Sequence, residues 1–130
     1  MIYYIYIALF GALGATARYW LSINLESSAF PFNTLLINIL GCFLLAIVTK
    51  YLANLPNFSS SLIMGLGTGL IASFTTFSTF SVETAQLILN GSYLISGVYI
   101  ISSLMGGFFS ASLGVYVSTK LNKRRELGNN

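Results

Sequence analysis

Phe74-Thr75-Thr76-Phe77-Ser78-Thr79-Phe80-Ser81 is the stretch on which the fold turns. It lies inside a long apolar segment and sets five hydroxyls among three phenylalanines. At ~100° per residue a helix would send those hydroxyls in every direction, Thr75 and Thr79 opposite Phe77, Thr76 and Ser78 on its flanks. No purely apolar arc is left for lipid. The run is expected to be enclosed by protein or to line a polar path.

The surrounding chain belongs in a membrane. Of its 130 residues 55% are hydrophobic and 7% charged, with a mean hydropathy of +0.80. A soluble domain of this size needs far more surface charge. Four segments have the ~20 apolar residues that a helical crossing requires: about 3–23, 33–52, 61–89 and 93–119. Pro31, Pro56 and Asn90-Gly91-Ser92 mark the connections. The expectation is one all-α domain over 1–130, with a break in the third helix, because that segment is too long for one straight crossing. Gly11 and Gly14, Gly65 and Gly69, and the series Gly106, Ser110, Gly114 are small residues spaced for close helix packing. The start of the chain lacks a basic n-region, so a retained first crossing is expected rather than a cleaved signal.

Charge sets the orientation. The chain has six Lys and Arg and a net charge of +3. Lys120, Lys123, Arg124 and Arg125 follow the last apolar segment, marking a cytoplasmic end rather than a nucleic-acid site. With four crossings the N-terminus is cytoplasmic too, Lys50 joins the inner side, and Arg18 alone is outside. The expected location is the cell membrane, with lipid as solvent.

Catalysis lacks its parts. His and Asp are absent, Glu26, Glu83 and Glu126 are the carboxylates, and Cys42 is alone. Carboxylate pairs, triads and zinc clusters cannot be assembled within one chain, so the protein is not expected to be an enzyme.

Several residues are open to two readings. Asn38, mid-span, can glue helices or offer amide hydrogens to an anion. Glu83 can carry a proton, bind an ion, stand in a vestibule, or snorkel to an interface. Arg18 is an interfacial anchor or a lure for anions, with Tyr19 and Trp20 as belt residues. Phe77 and Phe80 either pack or turn their positive ring edges towards an anion that the hydroxyls also hold.

Thr75-Thr76-Phe77-Ser78-Thr79-Phe80-Ser81 resembles the TTFSTF signature of the Fluc/CrcB fluoride channels. Gly14-Ala15-Thr16-Ala17-Arg18-Tyr19 resembles the family's GAxxRY, and Asn33 to Gly41 its GTLxVNxxG, with Glu83 at the matching spacing. The resemblance covers essentially the whole chain. It implies an antiparallel dimer with two narrow pores passing fluoride. By position, Phe77 and Phe80 would line the path, Asn38 would donate an amide, and Ser78, Thr79 and Ser81 hydroxyls. Tyr99 and Ser103 would flank the path, Glu83 would end it, and Arg18 would stand in the vestibule. Carbonyls of Ala72 and Thr75 from both subunits would hold a structural, untransported sodium ion, a hard cation suited to oxygen. The chain departs from the family's usual Gly-Gly at Ala72-Ser73, and from its Tyr-x₃-Ser-x₃-Ser track at Gly107.

The implied function is passive export of fluoride from the cytoplasm, limiting its toxicity. The strong basic asymmetry favours one fixed orientation, hence an oppositely oriented homologous subunit as partner, with a homodimer the other option. A proton-coupled drug-efflux transporter using Glu83 and a non-transporting scaffold are the rival readings; fluoride leak, drug movement or neither from liposomes separates them.

Overall fold

A computed structural model describes residues 2–25 and 29–128; Glu26, expected in the first loop, lies outside them. The described residues form helices and turns without a strand. Helix α1 is Ile2–Asn24 and α2 is Phe32–Lys50, followed by a short 3₁₀ turn, Leu52–Asn54. Helix α3, residues 60–74, is α-helical over Ser60–Met64, π-helical over Gly65–Ile71 and α-helical again over Ala72–Phe74. Helix α4 is Phe77–Leu89, and α5 is Tyr93–Gly128.

Three stretches are long and apolar enough to cross a membrane: Phe32–Asn54, Ser60–Leu89 and Tyr93–Gly128. Helix α1 has the length, 23 residues, but Arg18 and the tyrosines at 3, 4, 6 and 19 dilute its apolar character. Helix α5 continues past Thr119, where the apolar pattern ends, because Lys120 to Leu127, Asn122 apart, are good helix formers.

Each boundary has a local cause. The Ser59 hydroxyl accepts from the Leu62 amide and caps α3. Helix α4 closes on Gly91 at φ 75°, with Gly91 N–H donating to the Ile88 carbonyl and Ser92 N–H to that of Leu87. At the other end of α4 the backbone leaves the helical region at two residues, Thr75 (φ −77°, ψ 159°) and Thr76 (φ −149°, ψ 118°). Ala72, Ser73 and Phe74 before them are still helical.

Packing is by small residues. A side chain at Gly14 would collide with the Leu70 carbonyl, and one at Gly69 would lie 2.8 Å from the Ile7 carbonyl. Helix α1 therefore lies backbone to backbone on the π segment. Gly106 sits against Ile39 and Gly114 against Ala46 and Phe43, while Ser110 Oγ donates to the Ile39 carbonyl at 2.7 Å. All three sets of small residues lie in helix interfaces, as their spacing predicts. The buried core is small, with Ile37, Ile71 and Tyr99 among its members, whereas large apolar side chains cover the outside. That inversion suits a lipid solvent.

Candidate functional site

The two extended residues at 75–76 are gripped from α2. Asn38 Nδ2 donates to the Thr76 carbonyl at 3.0 Å, and Thr76 N–H donates to Asn38 Oδ1 at 2.8 Å. One side chain thus pairs with both the amide and the carbonyl of Thr76. Gly41, one turn along α2, makes room for the Thr75 methyl, against which any side chain there would collide. Of the two readings of Asn38, the glue is what the geometry displays, and its second amide hydrogen is still to be placed.

Thr76 also starts α4. Its hydroxyl accepts from Thr79 N–H at 3.2 Å, the usual side-chain cap, and donates to Thr79 Oγ1 at 3.0 Å. The Thr79 hydroxyl hydrogen is thereby left to point elsewhere. Ser78 Oγ lies 3.3 Å from the same Thr76 oxygen. Thr75 and Ser81 donate one turn back, to the Ile71 and Phe77 carbonyls, at 3.0 and 2.9 Å.

Farther along α4, Glu83 turns inward. Oε1 accepts from Thr34 Oγ1 at 2.9 Å and Oε2 from the Tyr99 hydroxyl at 2.7 Å. Thr34 is 5% exposed and Tyr99 fully buried, so the carboxylate joins α2, α4 and α5 rather than snorkelling. It also borders a 260 Å³ cavity reached by Asn33, Gln86 and Asn90. An aromatic row runs beside it: Phe77 to Phe80 at 5.9 Å, Phe80 to Tyr99 at 5.1 Å, Tyr99 to Phe30 at 5.6 Å between centroids. The two signature phenylalanines differ, since Phe80 is half-buried while Phe77 is 79% exposed on the single chain.

Arg18 borders a 210 Å³ cavity with Ser22, Asn33, Thr34 and Thr79, and its buried Nε has no hydrogen-bond partner there. On α5, Ser103 Oγ is buried without a partner. One turn on, a side chain at Gly107 would stand 3.5 Å from Cys42 Sγ. Ala72 has ordinary helical angles, φ −66° and ψ −30°, so glycine's freedom is not used at that position.

The site thus gathers Asn38, Thr76, Ser78 and Thr79 at the break, and Phe80, Glu83, Thr34 and Tyr99 beyond it. Ser81 and Phe77 face outward from this chain. Thr34, Thr76 and Gly41 are the residues that the sequence reading did not single out. Thr34 is one turn from Asn38 on the same face of α2, and Thr76-x-x-Thr79 has the spacing of a helix cap, which are the signals that point to them.

Fold and site together define an all-helical membrane protein in which a polar, hydroxyl-bearing interruption is embedded among apolar helices. The family model described as CrcB-like protein, Camphor Resistance (CrcB), matches residues 5–115. A fluoride-specific ion channel, FluC 2 of Listeria monocytogenes serovar 1/2a, is 43% identical over 124 residues, covering 95% of this chain and 96% of the relative. FluC 1 of Bacillus cereus strain ATCC 14579, also named a fluoride-specific ion channel, is 46% identical over 93% of this chain and 86% of its own. The chain belongs to the CrcB family.

Proposed function

We propose that the protein is a subunit of a passive, fluoride-selective channel that lets fluoride leave the cytoplasm across the cell membrane. The observation that carries the reading is the interruption at Thr75–Thr76, clamped by Asn38. An interrupted helix brings two ends to membrane depth, where irregular backbone is tolerated if protein or a cavity surrounds it. The start of α4 presents amides and partial positive charge, which favour an anion. Nearby are the Phe80 and Phe77 ring edges, the Thr79 and Ser78 hydroxyls and the remaining Asn38 amide hydrogen. Ser81 joins them after rotating off the Phe77 carbonyl, and Tyr99 and Ser103 form the opposite flank. Such a track replaces hydration for a small anion without a full positive charge. Glu83 closes the track, and Arg18 concentrates anions in the cavity before it. Helix α1 serves as a fourth crossing.

The end of α3 suits a cation. In an unbroken helix the Thr76 amide would reach the Ala72 carbonyl and the Thr79 amide the Thr75 carbonyl. Here the first goes to Asn38 and the second to the Thr76 hydroxyl. The Ala72 carbonyl receives the long, 3.5 Å branch of the Thr75 hydroxyl's bond. Both oxygens are therefore available for a hard cation, and we assign them to a structural sodium ion shared with a second, antiparallel subunit. That ion would supply a fixed positive charge at the break.

Hydrogen fluoride crosses lipid as a neutral acid and ionises at the higher internal pH. The trapped anion then leaves through the channel, driven by a negative-inside potential. Liposomes loaded with fluoride test the reading. Efflux should fall by on the order of tenfold or more in the double variant Phe77→Ala, Phe80→Ala, since each ring edge contributes roughly 1 kcal/mol. Undiminished flux in that variant would sink the residue assignment, and movement of a drug coupled to protons would favour a transporter.

Five of the six basic residues are grouped by the structure at one end, where Asn122 Nδ2 donates to the Lys50 carbonyl at 2.9 Å and Arg125 to that of Asn54 at 3.0 Å. This supports a single insertion direction and an oppositely oriented homologous partner. Crosslinking of differently tagged copies should find no antiparallel pair when the chain is expressed alone. A robust antiparallel crosslink between two copies of this chain would establish the homodimer instead.

A further inference from the structure

The outer face of α5 changes character abruptly at Lys120. Its inner face is continuous: Gly106, Ser110, Gly114 and Ser118 lie against α2, and Asn122, one turn on, bonds the Lys50 carbonyl. On the opposite face Phe109, Leu113 and Tyr116 are 61%, 55% and 64% exposed, as lipid-facing side chains are. Steps of four and three residues carry that stripe onward to Lys120, Lys123 and Arg124, all exposed.

Helix α5 has 36 residues, ~54 Å, against a hydrocarbon core of about 30 Å, so its end must leave the apolar layer. Lys120 follows the last lipid-facing apolar turn directly, which puts the three cations at headgroup depth. Asn122 and Arg125 tie the extension to the α2–α3 connection, holding the stripe in place. Glu126, the acidic residue of this end, sits off the stripe in the cleft shared by Asn54 and Arg125.

We propose that Lys120, Lys123 and Arg124 form a binding site for acidic phospholipid, its phosphate held by the cations and its chains lying along Tyr116 and Leu113. The continuity of the apolar and basic stripes favours an anchored headgroup over a free phosphate, because one ligand can cover both. The inference does not depend on conduction, so binding tests it apart from the channel reading.

Native mass spectrometry of the full-length protein in detergent, with equimolar phosphatidylglycerol and phosphatidylcholine, reads the site. The wild type should retain phosphatidylglycerol in several-fold excess. The triple variant Lys120→Gln, Lys123→Gln, Arg124→Gln should lose that preference and retain the two lipids about equally. The pair Lys120→Arg, Lys123→Arg should keep it, which also guards against a folding artefact. Equal retention of both lipids by the wild type, or an undiminished preference in the triple variant, overturns the proposal. So does complete displacement of the lipid by millimolar inorganic phosphate, which would make the site one for free anions.

Discussion

Asn38→Leu should destabilise the folded chain by about 2–6 kcal/mol, because the Thr76 amide and carbonyl would both lose their partner, at roughly 1–3 kcal/mol each. Leucine matches asparagine in size but offers neither donor nor acceptor. Water, which would rescue such groups at a surface, is scarce at membrane depth. Asn38→Asp should fall between the two: a carboxylate still accepts from the Thr76 amide but leaves the carbonyl without a donor. Thermal unfolding in detergent measures the loss. Hydrogen exchange at the Thr76 amide locates it, since that amide should become fast in Asn38→Leu and stay slow in Asn38→Asp. If the amide is equally protected in all three proteins, the clamp is not what holds the break. Fluoride efflux should fall with the clamp, as the α4 N-terminus loses its anchor.

Glu83→Leu carries the second large effect. The Thr34 and Tyr99 hydroxyls both donate to Glu83, and both residues are buried, so two donors are orphaned at once. The expected loss is again about 2–6 kcal/mol. Glu83→Gln keeps one acceptor oxygen and should lose clearly less. The decisive comparison is the double variant Glu83→Leu, Tyr99→Phe, in which the orphaned phenol is removed as well. It should recover roughly 1 kcal/mol or more relative to Glu83→Leu alone, the mark of two groups that act on one another. Strict additivity of the two changes would mean that the Tyr99–Glu83 contact contributes nothing to the fold. A carboxylate that merely reached for an interface would show no such coupling.

Local chemistry explains what could be read in advance. Turn residues at Pro56 and at Asn90-Gly91-Ser92 stop helices wherever they occur. Glycine spacing reveals a packing face without naming its partner. The hydroxyls between Phe74 and Ser81 announce a stretch unsuited to lipid, because polarity on every side of a helix is a property of the stretch alone. Contacts across the chain are a different matter. Asn38 meets Thr76 and Thr34 meets Glu83 over long separations in sequence, and neither residue type carries a label for its partner. Asn38 in the sequence alone is therefore compatible with two readings, and it is the Thr76 backbone set against it that displays the glue. Ala72 is instructive in the other direction. The resemblance implies glycine at that position and hence an unusual backbone, yet the observed angles are those of any helix, and Asn38 and Thr76 divert the amides instead. The π segment at Gly65–Ile71 was hidden for a similar reason: what holds it is the flat approach of α1 at Gly14.

The hydroxyls that bond back onto their own helix have a bearing on biogenesis. Thr75 and Ser81 each place their hydrogen on a carbonyl of their own helix, so a newly inserted chain shows neighbouring lipid little bare polarity along this face. Such a chain tolerates a long lateral search. In the antiparallel pair proposed above, the two subunits would then need to be made neither together nor in equal numbers, and the slower-made one could meet a waiting reserve of the other.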